Sequence, residues 1–108
     1  MNDNMDGNSE EKQYRRELFI KLLLMLRAGA LQQLGLVENP ITGEKEIKLE
    51  LARETIDMLD LLAEKTRGNL SEIEDEVLNN LMTELHLTYV KVESSSKETS
   101  NQNKSARK

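Results

Sequence analysis

The chain has 108 residues, of which 37% are hydrophobic and 32% charged, and its formal net charge at pH 7 is −5. This length suits one small domain, and an aromatic content of 3% argues against a β-sandwich, so we expect an all-α fold. The lack of cysteine excludes a disulfide framework and a thiol nucleophile and favours a cytoplasmic protein, while the acidic balance disfavours nucleic acid as a partner.

The pattern predicts a single helical domain over residues 10–92, between two disordered termini. Residues 1–9 are polar and acidic, and residues 93–108 contain one alanine and no larger apolar side chain. Such segments bury nothing that would offset the entropy of ordering them. The charge is unevenly divided, because residues 1–13 carry −3 and residues 91–108 carry +3. We expect the basic tail to serve at most as an accessory contact.

The first predicted helix is long, runs from about Glu10 to Leu34, and is followed by Gly35, a residue that favours a helix C-terminus. Eight of the nine residues from Leu18 to Leu26 are apolar, the exception being Lys21. Because successive residues turn by about 100° around a helix, these side chains cover its whole circumference. Two further helices of the same chain can pack against only one side of this helix. The apolar side chains on its other side therefore require a further packing partner.

Two apolar seams lie side by side on this helix, and small residues at one end allow another helix to approach closely. The first seam consists of Phe19, Leu23, Leu26 and Ala30, and the second of Leu18, Leu22, Met25 and Gly29. We predict that these eight residues form the interface of a homo-oligomer, since a short domain without disulfides or metal ligands often depends on association for stability. Another protein or a membrane surface are the alternative covers. A transmembrane helix is disfavoured, because Lys21 and Arg27 interrupt the apolar stretch.

The next segment is predicted to be a structured connector. Its Asn39-Pro40 and Thr42-Gly43 pairs favour turns, because proline excludes helix at the preceding residue and glycine tolerates a positive φ. We expect its apolar residues to pack against the domain, namely Leu36, Val37 and Ile41.

The second predicted helix covers about Leu49 to Arg67 and ends at Gly68, with basic residues in its last turn. An apolar stripe at spacings of three and four defines its buried side: Ala52, Ile56, Leu59, Ala63 and Thr66. No Ser, Thr, Asp or Asn lies between Glu44 and Leu51, so we expect its first turn to lack a side-chain cap.

The third predicted helix opens at Ser71 and Glu74, which have the spacing of a capping box. Its apolar seam consists of Leu78, Met82, Leu85, Tyr89 and Val92. We expect this helix to end near Val90 to Glu93 and to pair with the second helix in antiparallel fashion. The fold class is therefore an all-α, three-helix arrangement with a long first helix, a structured connector and an antiparallel pair.

No constellation of residues predicts a catalytic, cofactor-binding or metal site. His86 is the only histidine, and Glu84, two residues before it, does not share its helical face. Acidic residues in the first turn of the third helix are explained by the helix dipole. Tyr14 has no pattern around it. We therefore expect a non-enzymatic protein without a cofactor; an enzyme subunit that contributes a helix to a shared site is a further alternative.

Several segments together resemble the small helical bacterial proteins of the domain of unknown function 1844 family. They are Leu24-Met25-Leu26 with Ala30-Leu31, Asn39 to Lys45, Thr55 to Leu59, Glu64 to Leu70, and Leu85 to Val90. The resemblance covers about residues 18–92 and implies a bacterial cytosolic protein built as a packing unit. It implies no activity, cofactor or catalytic residue. Relatives typically have an acidic N-cap before the second helix, where this chain has Lys48.

Overall fold

The computed structural model describes residues 7–106 of the protein and the side chains of residues 9–97. Three helices follow one another: α1 (Gly7–Gln33), α2 (Leu49–Lys65) and α3 (Glu72–Ala106). Within residues 7–106 there is no strand, only an isolated bridge between Leu34 and Ile47. The predicted all-α, three-helix fold is confirmed. Residues 1–6 and 107–108 of the predicted disordered termini lie outside the described residues.

Helix α1 ends where the sequence predicts, through the backbone geometry of Gly35. The Leu36 amide donates to the Leu31 carbonyl at 3.0 Å and the Gly35 amide to the Gln32 carbonyl at 3.0 Å, the two bonds of a Schellman motif. Gly35 has φ +78°, a conformation that side chains disfavour. The start of α1 at Gly7 lies three residues before the predicted one.

The connector is held by hydrogen bonds and not by the apolar packing we predict. The Asn39 side-chain oxygen accepts from the amides of Ile41 and Thr42 at 2.8 and 3.3 Å, just after Pro40, and the Gly43 amide (φ +73°) donates to the Asn39 carbonyl at 2.7 Å. The expectation that its apolar side chains pack down is wrong: Ile41 is 91% exposed, and Leu36 and Val37 are also exposed. An asparagine that bonds its own turn replaces the apolar anchor.

Helix α2 begins without a side-chain cap, as predicted, since Lys48 makes no capping hydrogen bond to the described chain. The Lys48 amide instead donates to the Gln33 carbonyl at 2.7 Å, beside the Leu34–Ile47 bridge. This ties the start of α2 to the end of α1. At the other end, α2 stops two residues before the predicted Arg67 and is followed by Gly68 with φ +80°.

Helix α3 starts with the predicted capping box. The Ser71 amide donates to a Glu74 carboxylate oxygen at 2.8 Å, and the Glu74 amide donates to the Ser71 hydroxyl at 3.2 Å. The helix continues to Ala106, past the predicted end near Val90 to Glu93 and into the segment predicted to be disordered. Extension of an existing helix costs little per residue, and Ser96 is still half-buried.

The core lies where the three helices meet. Its buried residues are Leu23 and Ala30 of α1, Ile56 and Leu59 of α2, and Leu78, Leu81 and Leu85 of α3. Full burial of one such aliphatic side chain contributes about 1.5–3 kcal/mol relative to exposure. The predicted seam of the third helix is confirmed at Leu78 and Leu85, which are buried, and at its partly buried neighbours Met82 and Tyr89.

Replacement of Gly35 tests how the end of α1 is fixed. A Cβ at Gly35 would lie 2.7 Å from Cγ1 of Ile47, whereas a Cβ at Gly68, at a similar φ, meets no described atom within 4 Å. We expect Gly68→Ala to lower the free energy of unfolding by about 1 kcal/mol through backbone strain alone, and Gly35→Ala to lower it further. Urea unfolding of both variants measures the difference. Equal losses would show that Ile47 does not restrict this turn.

Candidate functional site

The first of the two predicted seams on α1 belongs to the intramolecular core. Leu23 and Ala30 have no exposed surface, and Phe19 and Leu26 pack against the core cluster. This corrects the predicted interface, because α2 and α3 already cover these positions and another molecule cannot reach Leu23 or Ala30. All eight residues are predicted as interface because the sequence does not specify which side of α1 faces α2 and α3.

The second seam faces away from the core. Leu18, Leu22 and Met25 are 47%, 44% and 63% exposed. Gly29 is half-buried, and a Cβ built on it would meet no described atom within 4 Å. One side of α1 is therefore apolar and uncovered within the described chain, as the argument from helix circumference predicts.

Tyr14 extends this exposed seam by one turn. It is 60% exposed and lies four residues before Leu18, the spacing of one helical turn. Its spacing to Leu18 and Leu22 is the signal in the sequence that could have identified Tyr14 as part of this seam. We call the five residues the α1 outer face: Tyr14, Leu18, Leu22, Met25 and Gly29. They extend over about 22 Å of helix.

An ion pair between α1 and α3 lies beside the core and accompanies the burial of the first seam. The Arg27 guanidinium donates to both oxygens of Glu84, from Nε at 2.9 Å and from Nη2 at 2.8 Å. The hydrogen bonds from Arg27 hold the pKa of Glu84 below its ordinary value, and those to Glu84 raise the pKa of Arg27. Bidentate geometry restricts rotation of α1 more than a single contact does.

A buried hydrogen bond to α2 supplies the second restraint. The hydroxyl of Thr55, the buried polar residue of the core, lies 2.7 Å from the Gln33 side-chain oxygen and 3.1 Å from the Leu51 carbonyl. Gln33 thus points toward α2 while Arg27 points toward α3. Gln33 lies one turn after Gly29, so its bond to Thr55 marks where the α1 outer face ends.

The one histidine forms a contact with a residue that is distant in the sequence. His86 Nε2 lies 3.0 Å from a carboxylate oxygen of Asp60, a partner 26 residues away and therefore invisible to local spacing. The pair lies beside an open groove of about 360 Å³ between α2 and α3, lined by Arg53, Ile56, Asp57, His86, Tyr89 and Glu93. The residues that line this groove include no serine, threonine or cysteine. In the described part of the chain, no group of three His, Cys, Asp or Glu side chains is arranged to hold a metal ion.

Other apolar side chains are exposed in smaller groups. They include Leu51, Met58 and Leu61 of α2 and Leu87 and Val90 of α3. Across residues 7–106, none of the helices combines the length and the apolar character that crossing a bilayer requires. The α1 outer face therefore remains the longest regularly spaced apolar feature on one helix.

Comparison with known proteins gives one match. A family described as "Domain of unknown function (DUF1844)" matches residues 17–91, which include most of α1, the connector, α2 and the packed part of α3. No curated protein and no solved structure matches the chain.

The Arg27–Glu84 pair yields a pH-dependent prediction. Both side chains are about 40% exposed, so solvent screening limits the pair to about 0.5–1 kcal/mol at neutral pH. Because the folded-state pKa of Glu84 is lowered, this contribution is present above the ordinary carboxyl value of 4.5 and is lost as the pH falls through the lower folded value. Glu84→Gln should therefore unfold more easily than the wild type at pH 7, with the gap closing in acid.

Thermal unfolding between pH 7 and pH 3 measures this gap. Lys97→Met is the matched control, because Lys97 lies 3.9 Å from Glu93 in a more exposed pair on a single helix. We expect almost no effect of that substitution at any pH. If the melting temperature of Glu84→Gln lies below that of the wild type by the same amount at every pH, the carboxylate charge does not contribute to stability.

Proposed function

The chain belongs to the DUF1844 family, and from that premise we propose that it is a non-enzymatic helical interaction module that self-associates through the α1 outer face. The observation that carries this proposal is the exposure of Tyr14, Leu18, Leu22 and Met25 on one side of α1, while the neighbouring seam is buried. Contiguous apolar surface on a small protein is typical of interaction sites.

The energetics favour a concentration-dependent oligomer. Burial of the exposed part of one such side chain contributes about 1 kcal/mol, and a two-fold interface buries the set on both copies. Association of two proteins costs at least about 4 kcal/mol in lost freedom of motion. The surplus from this face is at most about 4 kcal/mol, so we expect association to change over the millimolar range.

Composition and the family resemblance support a setting for this module. We place the protein in the bacterial cytoplasm, since a cysteine-free chain suits a reducing compartment and the family resemblance implies bacteria. The net charge of −5 supports a protein partner over nucleic acid. No cofactor forms part of the proposal, because neither the groove beside His86 nor the family assigns one.

Two double variants of the full chain test the proposal. Leu22→Asp with Met25→Asp places charges on the α1 outer face at positions that are already solvent-accessible, so the fold should survive. Leu87→Asp with Val90→Asp places the same charges on α3 side chains of comparable exposure, 59% and 55%. Sedimentation equilibrium should show an oligomer for the wild type and the α3 variant and a monomer for the α1 variant, with equal helical circular dichroism.

Two outcomes would overturn the proposal. One is a wild-type chain that is monomeric at all concentrations; the other is an α1 variant that is folded and still oligomeric. Co-sedimentation with anionic phosphatidylserine vesicles covers the membrane alternative. Salt-sensitive vesicle binding by a monomeric wild type would assign the same face to a lipid surface.

A further inference from the structure

Methionine is the only sulfur-containing residue type in this chain, which has five methionines and no cysteine. Three methionine side chains are described, and each lies on a different helix: Met25 on α1, Met58 on α2 and Met82 on α3. Peroxides oxidise a thioether where the sulfur is accessible to solvent. The exposure of these three side chains therefore determines which sulfur reacts in the folded protein.

The three side chains differ in exposure. Met25 is 63% exposed and Met58 is 53% exposed, whereas Met82 is half-buried and packs against the core cluster. Met25 belongs to the α1 outer face, and Met58 belongs to a smaller exposed group on α2. Met25 is therefore the most accessible of the three, and it lies on the surface through which the proposed function acts.

Oxidation of methionine by hydrogen peroxide transfers one oxygen atom to the side chain. The thioether sulfur is oxidised by two electrons, a sulfur–oxygen bond forms as the O–O bond of peroxide breaks, and the second oxygen leaves as water. The product, methionine sulfoxide, is polar and accepts hydrogen bonds. Its burial against apolar side chains is unfavourable, whereas in contact with water it is hydrated. Oxidation therefore disfavours any complex that covers the sulfur.

The position of Met25 separates its oxidation from the stability of the fold. Leu23 and Ala30 fill the core side of α1, and Met25 faces away from them, so a sulfoxide oxygen on this side chain can lie in solvent. Met82 is the opposite case, because an oxygen atom added to a side chain that packs against the core destabilises that packing. Oxidation restricted to exposed sulfur therefore changes the surface and preserves the core.

From these observations, and resting on the proposed function, we infer that Met25 is an oxidation site and that its sulfoxide weakens self-association through the α1 outer face. Peroxide reacts with the monomer, in which Met25 is exposed, and association protects the sulfur. The modification is reversible. A thiol-dependent methionine sulfoxide reductase removes the oxygen atom as water, with two thiols oxidised to a disulfide, and restores the apolar side chain.

Peptide mass spectrometry after mild hydrogen peroxide treatment tests the site. The full chain is oxidised at micromolar concentration, where we expect the monomer to predominate. Met25 and Met58 should each gain one oxygen atom before Met82 does, and unfolding in urea should make the three rates similar. A folded chain in which Met25 reacts as slowly as Met82 would overturn the inference.

Two single variants test the effect on association. Met25→Leu keeps an apolar side chain on the α1 outer face and removes the sulfur, and Met58→Leu is the matched control on α2. Met1 and Met5 lie outside the described residues and are common to all samples. Oxidation, stopped before Met82 reacts, should raise the dissociation constant about tenfold or more for the wild type and Met58→Leu, and leave that of Met25→Leu unchanged.

Sedimentation equilibrium up to millimolar concentration measures these constants, and circular dichroism should show equal helix content before and after oxidation. Treatment of the oxidised wild type with sulfoxide reductase should restore the original constant. Equal weakening of Met25→Leu by oxidation would assign the effect to another methionine and contradict the inference.

The outcomes separate this inference from the proposed function. A wild type that associates equally well before and after oxidation of Met25 refutes the inference and leaves self-association through the α1 outer face intact. A wild type that is monomeric at all concentrations, in both its reduced and its oxidised form, refutes both.

Discussion

The rotation of α1 about its own axis is the constraint on which the surface of this protein depends. Apolar side chains surround α1 over its central turns, so periodicity alone does not define which side is buried. Directional bonds add to the burial of Leu23 and Ala30 in selecting one rotation. Arg27 reaches Glu84 on α3, and Gln33 reaches the buried Thr55 on α2, and these two side chains point in different directions from the helix. With both bonds made, Leu23 and Ala30 face inward and Leu22 and Met25 face outward.

Features that depend on local chain geometry could be predicted from the sequence. The Schellman end at Gly35, the capping box of Ser71 and Glu74, and the missing cap at Lys48 each follow from a few neighbouring residues. The apolar side chains around α1 also exceed what α2 and α3 can cover, as predicted, since one side of α1 is uncovered. These predictions succeed because helix ends and helical periodicity depend on residues within a turn or two of one another.

Features that depend on distant partners could not be predicted. Both seams of α1 are apolar, and the residues that distinguish them lie far along the chain, such as Glu84, 57 residues away from Arg27. The Asp60–His86 contact is missed for the same reason. The connector shows a different limit: Asn39 satisfies its turn by hydrogen bonds, so Ile41 is not needed as an apolar anchor and is exposed. The length of α3 beyond Val92 was missed because composition describes what a segment can bury, not whether an existing helix continues through it.

The sequence separations of these bonds differ in a way that gives α2 an indirect role. Gln33–Thr55 and Asp60–His86 join residues 22 and 26 apart, whereas Arg27–Glu84 closes a loop of 57. From an open chain, closure of the longer loop costs about 0.8 kcal/mol more than closure of the shortest. Packing of α2 against both neighbours brings α1 and α3 together and removes most of this entropy cost. The Arg27–Glu84 pair therefore depends on α2, although α2 contributes no atom to it.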